Sequence, residues 1–187
     1  MRRAPRVLVQ LATAVLPLAA LADALAASSP APSEYQVKAE FIERFTRFVD
    51  WPSSAFASPE AAFVVCVRGG GALAEQLELV VARRRIKDRP VRVLHLGSGD
   101  RLTPCHLLYV AELDHKAVRE ITAMIRGKAI LSVGDQPGFA EDGLLINLIL
   151  DDKGFVRFEI NRDEASVSGL KISAKLMRLA RLVGSHR

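Results

Sequence analysis

Short apolar segments alternate with helical segments through the middle of the chain, and this alternation constrains the fold most. The apolar segments are "AAFVVCVR", "VRVLHLG", "CHLLYVAEL" and "KAILSVGD". The segments "ALAEQLELVVA" and "HKAVREITAMIRG" have helical periodicity, and Asp114 and Gly127 are expected to cap the second. Continuously apolar, β-branched strands are covered on both faces. We therefore predict a single-domain α/β sandwich with a mostly parallel central sheet and helices on both faces.

The C-terminal part of the chain predicts an antiparallel hairpin followed by helix. "LLINLIL" and "FVRFEI" flank the turn "DDKG", in which Gly154 supplies the positive φ. In the second strand we expect Arg157 and Glu159 to face outward, and we expect Asn161 to cap a short helix. The segment "ISAKLMRLARLV" is interpreted as a closing amphipathic helix whose inward residues are Ile172, Leu176, Leu179 and Val183.

The first helix of the globular part is predicted from its cap and its apolar spacing. Ser33 and Gln36 form a capping box. Phe41, Phe45 and Phe48 recur at helical spacing. Because Pro52 disfavours helical geometry at the preceding residue, we expect this helix to end near Asp50.

The N-terminus is typical of a secretory signal peptide. "MRRAPR" precedes the apolar residues 7–21, and Ala24 and Ala26 make an A-x-A cleavage site. A membrane anchor is the alternative, but the run is interrupted and shorter than the roughly 20 residues that span a bilayer. We expect a signal peptide over residues 1–26, a Pro/Ser tether over 27–33 and an α/β domain over 34–187.

Export changes how the charge and the cysteines are interpreted. The chain carries +5, and a leader with three arginines and one aspartate leaves about +3 after cleavage, which gives little support to nucleic-acid binding. Cys66 lies on the first predicted strand and Cys105 opens the third. In an exported protein this pair favours a disulfide, and two buried, reduced thiols are the alternative.

Motifs for catalysis, metals and cofactors are not found in the sequence. The glycines 69–71 lack the G-x-G-x-x-G and P-loop patterns, the histidines lack metal-ligand spacing, and no G-x-S-x-G elbow occurs. We therefore predict no catalytic residue, no cofactor and no metal. The glycine-rich loop "GDQPGFAEDG" is interpreted as an interaction surface, with Phe139 exposed or half-tucked at its tip.

Three segments resemble a known family. "YQVKAEFIERFTRFVDWP" resembles its opening signature Y-x-x-K-A-x-F-x-x-x-F-x-x-F-x-x-W-P. "ILSVGDQPGFAEDGLLINLILDDKGFVRFEIN" is similar to its most specific block, and "GLKISAKLMRLARLV" to its closing helix. Over about residues 34 to 183, the chain resembles the YfiR-type family of periplasmic proteins.

The resemblance implies a periplasmic, often dimeric repressor that is not an enzyme. Such proteins contact the periplasmic sensor region of a membrane-bound diguanylate cyclase of the YfiN type, and an outer-membrane lipoprotein relieves the repression. In this family the redox state of disulfides tunes the repressor. Cys66 and Cys105 match the family's cysteines on strands one and three. The later pair of some members is missing here. Another membrane sensor is an alternative target, because family members also occur beside such sensors.

We therefore expect a periplasmic regulatory protein, a homodimer without nucleic-acid partners, that represses a membrane signalling protein. The residues predicted to bind the partner are Trp51, Arg83, Arg84, Arg85 and Phe139. A structural plug is the alternative role for Trp51, and a solvated basic loop for the arginines. A periplasmic small-molecule binder that acts with a sensor kinase or a transporter is the rival function, and an enzyme comes third.

Overall fold

The structure is a computed structural model that describes residues 33–102 and 104–184. The predicted signal peptide, its cleavage site near Ala26 and residues 27–32 of the predicted tether lie outside the described residues.

The described residues form helices and strands in the alternating order that the sequence predicts. The helices are α1 (Glu34–Phe45), α2 (Ala72–Val81), α3 (His115–Ile125), α4 (Arg162–Val167) and α5 (Ala174–Leu179). The strands are β1 (Val49–Asp50), β2 (Phe63–Arg68), β3 (Arg85–Ile86), β4 (Arg89–Leu96), β5 (Leu107–Val110), β6 (Leu131–Gly134), β7 (Ile146–Leu150), β8 (Val156–Asn161), β9 (Lys171–Ile172) and β10 (Arg181–Val183). Short 3-10 turns at Thr46–Phe48 and Ser53–Ala55 join α1 to the sheet.

An eight-stranded, mostly parallel sheet with the order β10-β8-β7-β6-β5-β2-β4-β3 forms the centre. Strands β4, β2, β5, β6 and β7 run parallel to one another, and the edge strand β3 is antiparallel to β4. The hairpin of β7 and β8 is antiparallel, as predicted. A small antiparallel sheet of β1 and β9 lies beside the main one. The prediction of an α/β sandwich is confirmed.

Two apolar cores cover the two faces of the sheet. On one face, Ile42 of α1 and Leu77 of α2 pack against Phe63 and other strand residues. On the opposite face, Val118 and Ile121 of α3 pack in a second core. Each named side chain is less than 5% exposed, so helices lie on both faces as predicted.

Helix α1 ends earlier than the prediction of Asp50. The helix stops at Phe45, and the Thr46 hydroxyl donates to the Glu43 carbonyl over 2.6 Å. Val49 and Asp50 pair instead with Ile172 and Lys171 in the small sheet. Pairing with a distant strand ends the helix, an effect that local periodicity does not reveal. The capping box of Ser33 and Gln36 is confirmed.

The prediction of one closing helix over residues 172–183 is wrong. The segment divides into β9, the short helix α5 and β10. Leu176 is buried as expected, but Leu179 is 66% exposed. The edge of β8 offers free backbone donors and acceptors, and β10 adds to it in parallel, with Leu182 opposite Ile160. Backbone pairing along this edge outweighs the helical pattern.

Glu159 was expected to face solvent, but its side chain is 1% exposed. The Arg181 guanidinium donates to one carboxylate oxygen, and the Asn147 amide donates to the other over 3.1 Å. A buried carboxylate is tolerated only when it is paired in this way. The added strand β10 therefore both covers Glu159 and neutralises it.

Within the described residues, no helix is both long enough and apolar enough to span a bilayer.

Candidate functional site

Trp51 packs as a half-buried plug at the amino-terminal ends of the strands. Its indole Nε1 donates to the His106 carbonyl over 3.1 Å. Its ring meets Phe63 edge to face, with 4.9 Å between the centroids. These contacts agree with the structural alternative for Trp51, and only its remaining exposed surface is free for a partner.

The three arginines predicted to bind a partner have different environments. Arg84 spans two acids of α1, with its guanidinium 2.6 Å from a Glu40 oxygen and 2.8 Å from a Glu43 oxygen. The Glu43 side chain is 3% exposed, so Arg84 ties α2 to α1. Arg85 is exposed and donates to the Asp88 carbonyl. Arg83 is exposed to solvent.

The expectation that Phe139 is exposed or half-tucked at a loop tip is wrong, because the residue is only 1% exposed. Residues 135–143 fold back onto α3, where Asp142 pairs with His115 and accepts from Arg119 over 2.9 Å. The Thr122 hydroxyl also donates to the Asp142 carbonyl over 2.9 Å. This anchor turns the Phe139 ring into the core beneath α3.

The predicted partner-binding residues therefore do not form one surface. Phe139 belongs to the core on the α3 face of the sheet. Arg84 contacts α1 on the opposite face. The part of the predicted set that stays accessible to a partner is Arg83, Arg85 and the edge of Trp51.

Cys66 and Cys105 form a disulfide in the structure, with Cα atoms 5.7 Å apart. They come together because β2, which contains Cys66, and β5, which follows Cys105, are parallel neighbours. Both residues are buried in the core on the α3 face.

His106, the residue after Cys105, forms a hydrogen bond through each of its two ring nitrogens. Its Nδ1 accepts from the Val64 amide over 2.9 Å, and its Nε2 lies 3.0 Å from the Ala55 carbonyl, to which it donates. The ring stacks on Phe56 with 4.4 Å between the centroids, and the Arg89 guanidinium carbon lies 3.8 Å from the centroid of the same Phe56 ring. Burial, with the charge of Arg89, lowers the pKa of His106 below 6.5. The neutral ring is required because a protonated Nδ1 could not accept from Val64.

We expect His106 to make folding stability pH-dependent below about pH 6.5. There the unfolded chain binds a proton at His106 while the folded protein does not, so stability falls as pH falls, by at most about 1.4 kcal/mol per pH unit. Urea unfolding between pH 7.5 and 5 measures the slope. His106→Gln should remove this component, and the exposed control His95→Gln should keep it. Equal slopes for wild type and His106→Gln would contradict the assignment.

A polar crevice lies at the carboxyl ends of the parallel strands. The Tyr109 hydroxyl donates to Asp135 over 3.1 Å, and the Lys38 ammonium lies 3.2 Å from the other Asp135 oxygen and 2.7 Å from Glu34. Burial and the negative charge of Asp135 raise the pKa of Tyr109. Burial alone would lower the pKa of Lys38, but its hydrogen bond to Glu34 and the charge of Asp135 raise it.

The crevice encloses about 220 Å³. It lies between the ends of β2 and β5, where the chain order reverses across the sheet. Open α/β sheets bind ligands at this kind of position. The sequence analysis did not predict Lys38, Tyr109 or Asp135 as site residues. The signal for two of them was present, because "CHLLYV" and "ILSVGD" form neighbouring parallel strands whose carboxyl ends bring Tyr109 and Asp135 together.

Among the residues that the structure describes, no cluster of three or more His, Cys, Asp or Glu side chains is arranged to hold a metal ion.

A family model described as YfiR/HmsC-like matches residues 35–181, which is well over half of the chain. The match begins in α1 and ends at the start of β10. No curated protein matches the chain.

Proposed function

Because the chain belongs to the YfiR/HmsC-like family, we propose that it is a periplasmic regulatory protein that represses a membrane-bound signalling protein. The proposed target is a diguanylate cyclase, so that repression lowers cyclic-di-GMP. The family match over residues 35–181 is the observation that carries the proposal. The match includes nearly all of the residues that the structure describes.

The disulfide supports action outside the cytoplasm. Disulfides persist in oxidising compartments such as the periplasm and are rare in the cytosol. Cys66 and Cys105 are bonded in the buried core. We therefore propose that residues 1–26 direct export and are removed, that 27–33 form a tether, and that 34–187 are the regulatory domain.

The proposed regulation is by contact rather than by catalysis. Arg83 and Arg85 offer exposed positive charge, and Trp51 offers an apolar edge. Charged rims around apolar contacts steer association and set specificity. We propose the periplasmic region of a membrane cyclase, or of another membrane sensor, as the partner. An outer-membrane lipoprotein is the proposed competitor, and a homodimer is the proposed form.

Capture from detergent-solubilised membranes of the native host tests the proposal. Immobilised mature protein is expected to retain a membrane signalling protein with a periplasmic region, identified by mass spectrometry, and that purified region should bind the mature protein directly. Capture should weaken in reductant, because loss of the disulfide loosens the fold. Retention of no membrane protein above the level of blank beads would contradict the proposal.

The crevice at the ends of β2 and β5 favours a small-molecule binder as the second candidate function. Its polar groups converge on one enclosed space at the reversal point of the sheet. A ligand present at 100 times its Kd stabilises a fold by about 2.7 kcal/mol. Thermal unfolding with nucleotides, amino acids and vitamins would reveal such a ligand, and Tyr109→Phe should weaken the response.

A further inference from the structure

An open groove runs along the outer side of α1 and α2. Each helix contributes apolar side chains, Val37 and Phe41 one turn apart on α1 and the consecutive Leu79 and Val80 on α2. The groove has a volume of about 770 Å³. Leu79, a large aliphatic side chain in the last turn of α2, is 60% exposed. The groove therefore presents concave apolar surface to solvent.

The charge around this groove is positive. Three arginines line it, Arg44, Arg83 and Arg84, against one acid, Glu40. Arg84 is held by Glu40 and by the buried Glu43. Arg44 has a side chain that is 64% exposed and lies 3.9 Å from Glu40, and Arg83 is exposed just beyond the end of α2. Three arginines against Glu40 and Glu43 leave the rim with one net positive charge, and Arg44 and Arg83 carry its exposed guanidinium groups.

We infer that this groove docks an acidic amphipathic helix from the periplasmic region of the regulated membrane protein. The inference rests on the proposed function, since it names the surface through which the chain would hold its target. Apolar anchors at i, i+3 or i+4 and i+7 would enter the groove between Phe41 and Leu79. Acidic residues beside those anchors would pair with Arg44 and Arg83.

Charge and shape both argue against the other occupants. A second copy that used the same groove would bring Arg44 and Arg83 against another set of arginines, and like charges across an interface are costly. An anionic bilayer matches the charge, but its surface is flat on this scale and cannot fill a concave groove. An acidic helix matches both the charge and the shape.

Photocrosslinking in the native host tests the assignment. The crosslinker p-benzoylphenylalanine is placed at position 79 and, as a matched control, at position 124. Met124 is 54% exposed on α3, on the other face of the sheet. We expect position 79, and not position 124, to crosslink to an acidic helical segment of a membrane protein, mapped by mass spectrometry.

The other outcomes overturn the inference in distinguishable ways. A crosslink from position 79 to a second copy, or to lipid, would assign the groove to a dimer or to a membrane. If position 124 alone reaches the membrane protein, the groove assignment fails and the proposed function stands. If neither position nor the pull-down yields a membrane protein, the proposed function fails as well.

Affinity for the crosslinked periplasmic region gives a second readout. Leu79→Glu is expected to weaken binding at least tenfold, because it places a charge in the apolar centre of the groove, and Arg83→Glu is expected to weaken it less and mainly at low salt, because it reverses a rim charge. Met124→Glu should bind within twofold of wild type. Circular dichroism of each variant confirms that the exposed substitutions leave the fold intact. Unchanged affinity of both groove variants would overturn the inference.

Discussion

Replacing Cys66 and Cys105 together with alanine is expected to lower the free energy of unfolding by about 4 kcal/mol. The disulfide closes a loop between residues 39 apart in sequence, and in the chain-entropy model a loop of this length stabilises the folded state by that amount. Alanine avoids burying an unpaired hydroxyl in the apolar core around the disulfide. Urea unfolding followed by circular dichroism measures the difference.

Wild-type protein kept in reductant is the matched control for this substitution. It should lose a similar part of its stability, because the same crosslink is removed without changing the sequence. If oxidised wild type, reduced wild type and the double alanine variant unfold at the same urea concentration, the two cysteines do not crosslink the folded protein.

Gly69→Ala is expected to destabilise the fold by more than about 3 kcal/mol. Gly69 has φ +97°, and a Cβ there would lie 2.0 Å from the backbone oxygen of Ala111. Left-handed backbone costs a residue with a side chain about 1–2 kcal/mol, and moving the β5 backbone away costs more. The glycine allows the turn after β2 to pass directly beneath the end of β5.

The neighbouring glycine provides a matched control within the same turn. A Cβ at Gly70 would meet no atom within 4 Å, so Gly70→Ala should change stability by no more than about 0.5 kcal/mol. Thermal or urea unfolding of the two variants side by side checks the pair. Equal destabilisation by both would mean that the close approach to Ala111 does not exist in solution.

The parts of the fold that depend on local pattern could be predicted from the sequence. Continuous apolar runs identified the parallel strands, and Asp114 and Asn161 cap α3 and α4 as expected. The C-terminal segment could not be predicted in this way. Its apolar spacing fits a helix, but the available edge of β8 decides its conformation, and that edge is made by residues more than twenty positions away.

The candidate site was less predictable because tertiary contacts decide which side chains are free. Three consecutive arginines look equivalent in the sequence, yet Arg84 is tied to α1 by two acids. The glycines around Phe139 suggested an exposed tip, but Asp142 fastens that loop to α3. The groove could not be read from the spacing either, because Phe41 and Val80 pack partly against the core while Leu79 of the same apolar set is left 60% exposed.

Cellular cyclic-di-GMP, measured by mass spectrometry in the native host, tests the central claim most directly. Deletion of the gene for this chain is expected to raise the cyclic-di-GMP level several-fold. Expression of the full chain with residues 1–26 should restore the original level. The same chain without those residues should not restore it, because the partner's binding region is proposed to lie in the periplasm. Unchanged cyclic-di-GMP on deletion, or full restoration by the leaderless chain, would contradict the account.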